Sequence, residues 1–528
     1  MDKKNTSIEL RVEEILYYFF FLSMLMAKGI GLYEGMKSYN ICLIFAFACI
    51  FLKLLLEEHT ILELVGIIFT VLLGLIIYIV SGDKAPLIYL CMIIGLRGVP
   101  IIRVFKLGLP VWFICMLVRA VLAFSGIEKG FVLAHEKLGL GPILRWGFGY
   151  PHPNVLQISY AVLVAFVLYL TDKRGKELCN LLFTLFIGNC FIFLFSVSYT
   201  GFALTTLLLI IFYYCVARTK FSRLEKIIIN SIMPFSVLFS TVGPLLTGEG
   251  MIFSHLDRLM NKILNMRFIA SRIYLLQGIS LFGKDLSGAG LGFALDCSYV
   301  SLLMNDGIIL FLIVMALYAG AIFFYLKSDK RKELAIILSF IITGISEPFL
   351  FNTSFKNLSF LFLGEFIFIQ IARCHKRNSC SILTKCIGGN IISNKFTISI
   401  SKVYYLRTEV KNIWNNKKRI IIVTSVCVGL FVAFIYGFIR EVPNAIYVSI
   451  SNTDCPEREK YYLDIDALPD DFNSLVYEYQ SKNMPLYKFD GNMIKLERIR
   501  DIFGWWFIGA ITIGSVLIIF FLVKEKRE

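Results

Sequence analysis

Along the chain, long apolar stretches alternate with short polar, charged ones from residue 14 to residue 372. Several of the apolar runs hold 17 or more residues with hardly a charge. As α-helices, runs of that length cross roughly 30 Å of hydrocarbon. Continuous runs are the mark of helices, since a β-barrel would show alternating segments of about ten residues. The pattern predicts twelve helices, at 14–32, 39–56, 61–80, 85–99, 107–126, 154–171, 178–197, 201–217, 227–247, 299–326, 333–351 and 356–372. A polar stretch, 373–419, follows. Two further runs at 420–438 and 503–523 enclose a polar segment, 439–502. The chain is therefore predicted to be an all-α polytopic integral membrane protein with about 14 transmembrane helices. Residues 1–372 would form a twelve-helix core, 373–419 a cytoplasmic linker, and 420–528 a two-helix module.

Composition agrees: of 528 residues 57% are hydrophobic and 15% aromatic, with a mean hydropathy of +0.73, far above a soluble domain. The net charge of +15 is read through topology, because Lys and Arg collect in cytoplasmic loops. It is not a nucleic-acid signal. The basic loops 97–106, 172–177, 218–226 and 327–332 all fall on one side if the helices are as placed. Both termini then lie in the cytoplasm, while 127–153, 248–298 and 439–502 lie outside. The first apolar run has acidic flanks and no small-residue cleavage site, so it is expected to stay as a membrane helix. Most of the 13 cysteines sit in apolar runs, where Cys acts as a small hydrophobe. Cys297 and Cys455 are expected outside, where a disulfide between them is open. Cys374, Cys380 and Cys386 lie near His375 at spacings that fit no zinc template. No metal and no cofactor is called for.

The outside segments hold the candidate chemistry. The first ends RWGFGYPHPN, carrying Arg145, His152 and Asn154. Pro151 and Pro153 stiffen the turn and would aim His152, with Asn154 as the expected helix N-cap. In the second, Arg258, Lys262, Asn265 and Arg272 fall on one face at about 100° per residue, and Arg267 points elsewhere. Leu256, Leu259, Ile263 and Phe268 make the apolar side of a surface-lying amphipathic helix. Lipid headgroups alone would account for such cations. Arginine predominates, however, and its guanidinium fork suits bidentate phosphate binding. A Gly-rich run with Gly283, Gly288, Gly290 and Gly292 leads to Asp296 and Tyr299, which read as a helix N-cap or a functional pair. Asp306 and Glu347 lie in or near apolar helices and should face the protein interior.

Together these elements resemble the Wzy-type O-antigen and capsular polysaccharide polymerases, in the superfamily that includes the O-antigen ligases. The resemblance rests on RWGFGYPHPN opening a helix, on about twelve helices with one long late outside loop, and on the order Arg, LFG, DxSY and LLMNDGII. It covers roughly residues 10–372. It implies a metal-independent glycosyltransferase at the outer face of the cytoplasmic membrane. A hydroxyl of one undecaprenyl-diphosphate-linked oligosaccharide would attack the anomeric carbon of another, and undecaprenyl diphosphate would leave. Carried over by motif, Arg145 and Arg272 are the better matches for diphosphate binding, and Arg258 and Arg267 the weaker. Asn154, Tyr299 and Lys262 would touch substrate. Related ligases have His where this chain has Asp296, so the base stays open among Asp296, His152 and Glu347. The implied partners are membrane lipids, a flippase and a chain-length regulator. An O-antigen-ligase-type transferase or a transporter for the same lipid-linked sugar are the alternatives. A transporter should place charge deep within several helices.

Overall fold

The computed structural model describes residues 7–125, 127, 132–137, 141–264, 266–286, 295–377, 386–387, 395–399, 401–439, 445–449, 460–463, 486–489 and 492–525. All fourteen predicted apolar runs are helical. In chain order they are α1 (Val12–Gly29), α2 (Lys37–Leu56), α3 (Ile61–Ser81), α4 (Ala85–Ile94), α5 (Ile101–Phe124), α6 (Pro153–Leu170), α7 (Gly175–Ser196), α8 (Tyr199–Ala217) and α9 (Arg223–Thr241). After the short helices α10 (Gly243–Leu246), α11 (Asp257–Ile263), α12 (Arg267–Leu275) and α13 (Ser298–Ser301) come α14 (Gly307–Lys327), α15 (Arg331–Thr343), α16 (Ser359–Arg377), α17 (Ser401–Ile439) and α18 (Asn492–Glu525). The chain is an all-α polytopic membrane protein.

Among the described residues, ten helical spans are long and apolar enough to cross a membrane. The other four predicted runs fall short of fourteen full spans for identifiable reasons. The α1 helix carries Glu13, Glu14 and Lys28 within 18 residues, and α4 has only 10 residues. The predicted helix 333–351 stops at Thr343, giving α15 only 13 residues. Beyond it, Pro348 lacks a donor and holds Glu347 extended at φ −133°, ψ 138°. In α16, Glu365, Arg373, Lys376 and Arg377 interrupt the apolar run.

The outer surface of the bundle is apolar. Ile41, Ile44, Ile79 and Phe438 are exposed, as they should be where lipid replaces water. The most enclosed long helix is α6, packed against α5, α7, α8 and α15. Its Gln157 anchors a polar knot. Gln157 donates to Asn189 at 2.6 Å and accepts from the Ser196 hydroxyl at 2.7 Å, while Asn189 donates to the Phe202 carbonyl at 3.0 Å. In an apolar surround, such satisfied polar groups fix the register of neighbouring helices.

The predicted helix 299–326 is broken. Leu302–Asp306 forms a π-turn between α13 and α14. The segment 280–284 docks into the break, with Ile308 N–H on Ser280 O at 3.0 Å and Lys284 N–H on Met304 O at 3.1 Å. Both Gly283 (φ +88°) and Gly307 (φ +87°) are required here. A Cβ on Gly283 would lie 1.8 Å from the Asn305 carbonyl, and one on Gly307 would lie 2.4 Å from Leu281 O. The LFG and NDG motifs are thus two halves of one structural clasp. Gly288, Gly290 and Gly292 lie outside the described residues.

At one end of the bundle the basic loops meet. Lys173, Arg174, Arg218, Lys330 and Arg331 line a shared cavity of about 770 Å³, together with Ile102 of α5. Part of the predicted linker 373–419 is ordered structure: β6 (Lys395–Ser399) pairs antiparallel with β1 (Ser7–Arg11), and β5 (Cys386–Ile387) with β2 (His59–Thr60). From Ser401 onward it is already α17, which forms a long hairpin with α18. The segment before α18 contributes a three-stranded antiparallel sheet of β7 (Ala445–Ser449), β8 (Lys460–Leu463) and β9 (Leu486–Phe489), in the order β8-β7-β9. At the opposite end of the bundle, β3 (Val132–Lys137) and β4 (Gly141–Trp146) form a hairpin leading into α6.

Candidate functional site

Four segments far apart in sequence place charge together at this second end. The first is β4. Its Arg145 is 2% exposed, donating from Nε to Ser196 O at 2.8 Å and from Nη2 to Asn154 Oδ1 at 2.6 Å. The residue capping α6 is His152, not Asn154. Its Nδ1 accepts the Asn154 N–H at 3.1 Å, with Pro153 at the first helical position. The proline-stiffened turn therefore presents Asn154's side chain to Arg145 while His152 holds the helix end.

The second segment is α12. The predicted amphipathic helix is two helices, because Met266 adopts a left-handed conformation (φ +65°). A bond from Met266 N–H to Asn261 O at 2.8 Å closes the bend, and Ile269 N–H donates to Asn261 Oδ1 at 2.9 Å. The bend changes which arginine faces inward. Arg267, which a straight helix turns away from the basic face, is buried at 6% exposure. Asn265 lies outside the described residues.

The third and fourth segments are pinned to each other. Ser298 N–H donates to Gly344 O at 2.9 Å, and its hydroxyl donates to the Glu347 carbonyl. Asp296, two residues before this anchor, and Glu347 are thereby brought to the same guanidinium. Arg267 Nη2 lies 3.1 Å from Asp296 Oδ2 and 3.5 Å from Glu347 Oε1. Lys356, buried on the same connection as Glu347, donates to Val155 O at 3.3 Å.

The cluster thus holds Arg145, Arg267 and Lys356 against Glu347 and Asp296. Burial lifts the Glu347 carboxyl to about 7, against the pull of Arg267 and, more weakly, of Arg145 and Lys356. Burial pushes the Lys356 ammonium down to about 7 and the Arg145 guanidinium down to about 10. Burial also raises the Asp296 carboxyl, while Arg267 lowers it. Glu347 Oε1 and Arg267 Nε are buried without a hydrogen bond among the described residues. Orphaned charged atoms of that kind are costly, and a ligand would satisfy them. The Asp296 side chain, 36% exposed, is the open edge of the cluster.

Other predicted site residues go elsewhere. Arg272 is paired with Asp257 at 3.0 Å and is no member of the cluster. Arg258 and Lys262 are exposed on the short α11. Tyr299 is fully buried and donates to Ile341 O at 2.7 Å, so it supports the fold rather than meeting a substrate. Asp296 is not a cap, since Cys297 holds that position before α13. Cys297 is buried rather than outward-facing, and Cys455 lies outside the described residues. Asp306 is buried at 1% exposure, as expected of an acid among apolar helices. Sequence reasoning missed Lys356. Its signal was a lone lysine just ahead of an apolar run, on the same short connection as Glu347.

These features define a class: a multi-pass membrane protein with a buried cluster of mixed charge at one end. Compared with family models, curated proteins and solved structures, the chain matches none.

Proposed function

We propose that this protein is a polysaccharide polymerase of the Wzy type. It joins lipid-diphosphate-linked oligosaccharide repeats by glycosyl transfer at the outer face of the cytoplasmic membrane, with both termini inside. The observation that carries the reading is the convergence of Arg145, Arg267, Lys356, Glu347 and Asp296 from four segments onto one buried site. The leaving diphosphate gains negative charge as the glycosidic bond breaks. Preorganised guanidinium groups stabilise that charge more than they stabilise the ground state. The acceptor hydroxyl must lose a proton. Glu347, titrating near 7, is matched to accept it at neutral pH. The reading shifts the diphosphate role from Arg272 to Arg267, and ranks Glu347 ahead of Asp296 and His152 as base. His152 is occupied in capping α6.

Transport is the weaker reading. Transporter sites form where helices break near the middle of the membrane. Here the break at Leu302–Asp306 lies in the first third of the 30-residue span Ser298–Lys327, and the 280–284 clasp fills it. The deciding experiment gives the purified protein defined lipid-linked repeats and weighs the products by mass spectrometry. Longer glycan still bearing lipid diphosphate is expected. Glycan moved to a different acceptor would make it a ligase, and lipid crossing vesicles without lengthening would make it a transporter.

A further inference from the structure

The C-terminal hairpin begins outside the resemblance and outside the charged cluster, yet its second helix ends up gripping the strand that carries Arg145. The predicted helix 503–523 starts eleven residues earlier, at Asn492. Those added turns hold Glu497 and Arg500, which are 2% and 0% exposed and joined at 2.6 Å. Arg500 Nη1 donates to Leu144 O at 2.7 Å, and its Nε donates to Leu194 O at 2.8 Å. Glu497 accepts from the Trp146 indole at 3.2 Å. Leu144 and Trp146 are the two chain neighbours of Arg145. Arg145 itself donates to Ser196 O, two residues beyond the carbonyl that Arg500 takes.

Two buried arginines therefore read alternate carbonyls at the end of one helix, α7, and one of them also clamps the strand carrying the other. Met493 and Ile494 close an apolar patch with Ile143, Leu144 and Val197 around these bonds. The approach is tight at Gly504, where a Cβ would fall 2.1 Å from the Phe124 ring, and Phe124 packs on Trp146. A helix that only anchored a module in the membrane would need none of these buried polar bonds. In a low-dielectric site such groups are costly unless they are satisfied, and the bonds to Leu144 O, Leu194 O and Trp146 satisfy all of them but Arg500 Nη2, which has no hydrogen bond among the described residues.

We propose that α18 is a positioning element for the charged site, with Glu497 and Arg500 fixing the direction of Arg145 through β4 and the end of α7. The neutral Glu497–Arg500 pair also keeps a second like charge beside Arg145 compensated. Because β9 ends three residues before α18 begins, whatever engages the segment carrying β7 to β9 has a short route to Arg145.

The functional readout rests on the proposed diphosphate role of Arg145, so the test has two arms. Glu497→Gln keeps the shape of the side chain and removes its charge. In the full-length protein in lipid nanodiscs, amide hydrogen exchange across 141–154 is expected to quicken in this variant while 12–29 stays as it was. In the same preparation, kcat with the lipid-linked donor should fall about tenfold with KM within about twofold, since Arg145 is proposed to act on charge that develops as the diphosphate leaves, and Glu497→Gln added to Arg145→Ala should cost nothing more. Unchanged exchange at 141–154 overturns the positioning role whatever Arg145 binds, and so does faster exchange throughout the chain. A fall in kcat with Arg145→Ala but none with Glu497→Gln overturns it too. If exchange changes as expected and neither variant alters kcat, the positioning stands and the diphosphate reading of Arg145 falls.

Discussion

Where α14 turns into α15, Lys330 pairs with Glu365, Lys332 with Asp172 and Arg331 with Asp329, and each cation has a carboxylate within 2.8 Å. At the other end of the bundle Arg267 lies between two carboxylates, and Glu347 and Arg267 each keep a buried polar atom with no hydrogen bond. The first end holds more charge, on residues near one another in sequence or at the mouths of packed helices, and much of it is exposed. At the second end, beside exposed cations such as Arg258 and Lys262, a smaller set drawn from β4, α12, the 295–298 return and the turn after α15 is gathered and largely buried. Density of basic residues is thus a topological signal, since cations accumulate on one side of a membrane regardless of chemistry. Convergence and incomplete satisfaction are what mark a site.

The largest expected effect separates the two ends directly. Arg267→Ala removes the group that both acids share and the proposed contact to the departing diphosphate. Chain elongation should fall by about 10²–10³-fold, the usual scale for losing a preorganised donor to developing negative charge. Arg145→Ala should act in the same direction, and Arg145→Lys should recover only part, because an ammonium cannot reproduce the fork that meets Ser196 O and Asn154. Product length on gels, with insertion checked by detergent-resistant folding, reads this out. Full-length polymer from Arg267→Ala would reduce the buried cluster to a structural ion network.

A second test uses pH. Burial raises the Glu347 carboxyl to about 7, so it is ionised above that value and protonated below. If the carboxylate accepts the acceptor's proton, kcat rises with pH through about 7 and then levels. Stability should move the other way. A carboxyl whose folded pKa is raised binds a proton in the native state that the unfolded chain has released, so stability declines as pH climbs from the ordinary Glu range towards 7 and is flat beyond. Glu347→Gln should abolish both slopes. A kcat profile unchanged in Glu347→Gln would move the base to Asp296 or Lys356.

The contrast between the ends also sets what the sequence can tell. Every apolar run became a helix, because a stretch that must satisfy its own backbone in lipid has few other choices. The polar candidates were harder. Arg145, Asn154 and Asp296 were legible as polar groups on segments expected outside, and Glu347 as an acid near the end of a predicted helix, and these converge, while His152 caps α6. Arg272 and Arg267 exchanged roles through one residue, Met266, whose left-handed backbone bends the helix; no propensity rule assigns that conformation to methionine. The short α15 follows from Pro348, which was visible, yet the apolar run across it extends to residue 351. Glu497 and Arg500 were hidden for the opposite reason. Their charge made 492–502 read as loop, whereas these turns are helical and bury Glu497 and Arg500 against β4 and the end of α7.

The smallest expected effect is the most economical check on the comparison. Lys332 Nζ donates to Asp172 at 2.8 Å, but the Asp172 side chain is 96% exposed. Removing the lysine as Lys332→Ala leaves Asp172 in water, where it needs no partner, and Lys330 and Arg331 remain beside it to hold the loop's positive balance. Elongation should stay within about twofold of the unaltered protein, as exposed ion pairs contribute little. Arg331 is a stricter case at the same end, since its guanidinium also donates to Cys215 O at 3.2 Å and to Thr219 O at 2.6 Å and so ties α15 to the end of α8. Arg331→Ala should therefore lower the thermal midpoint while leaving KM for the donor unchanged. A loss of elongation in Lys332→Ala comparable to that in Arg267→Ala would show that the two ends do not divide into a topological one and a chemical one, and the cavity of about 770 Å³ among the basic loops would then have to be counted as part of the working site.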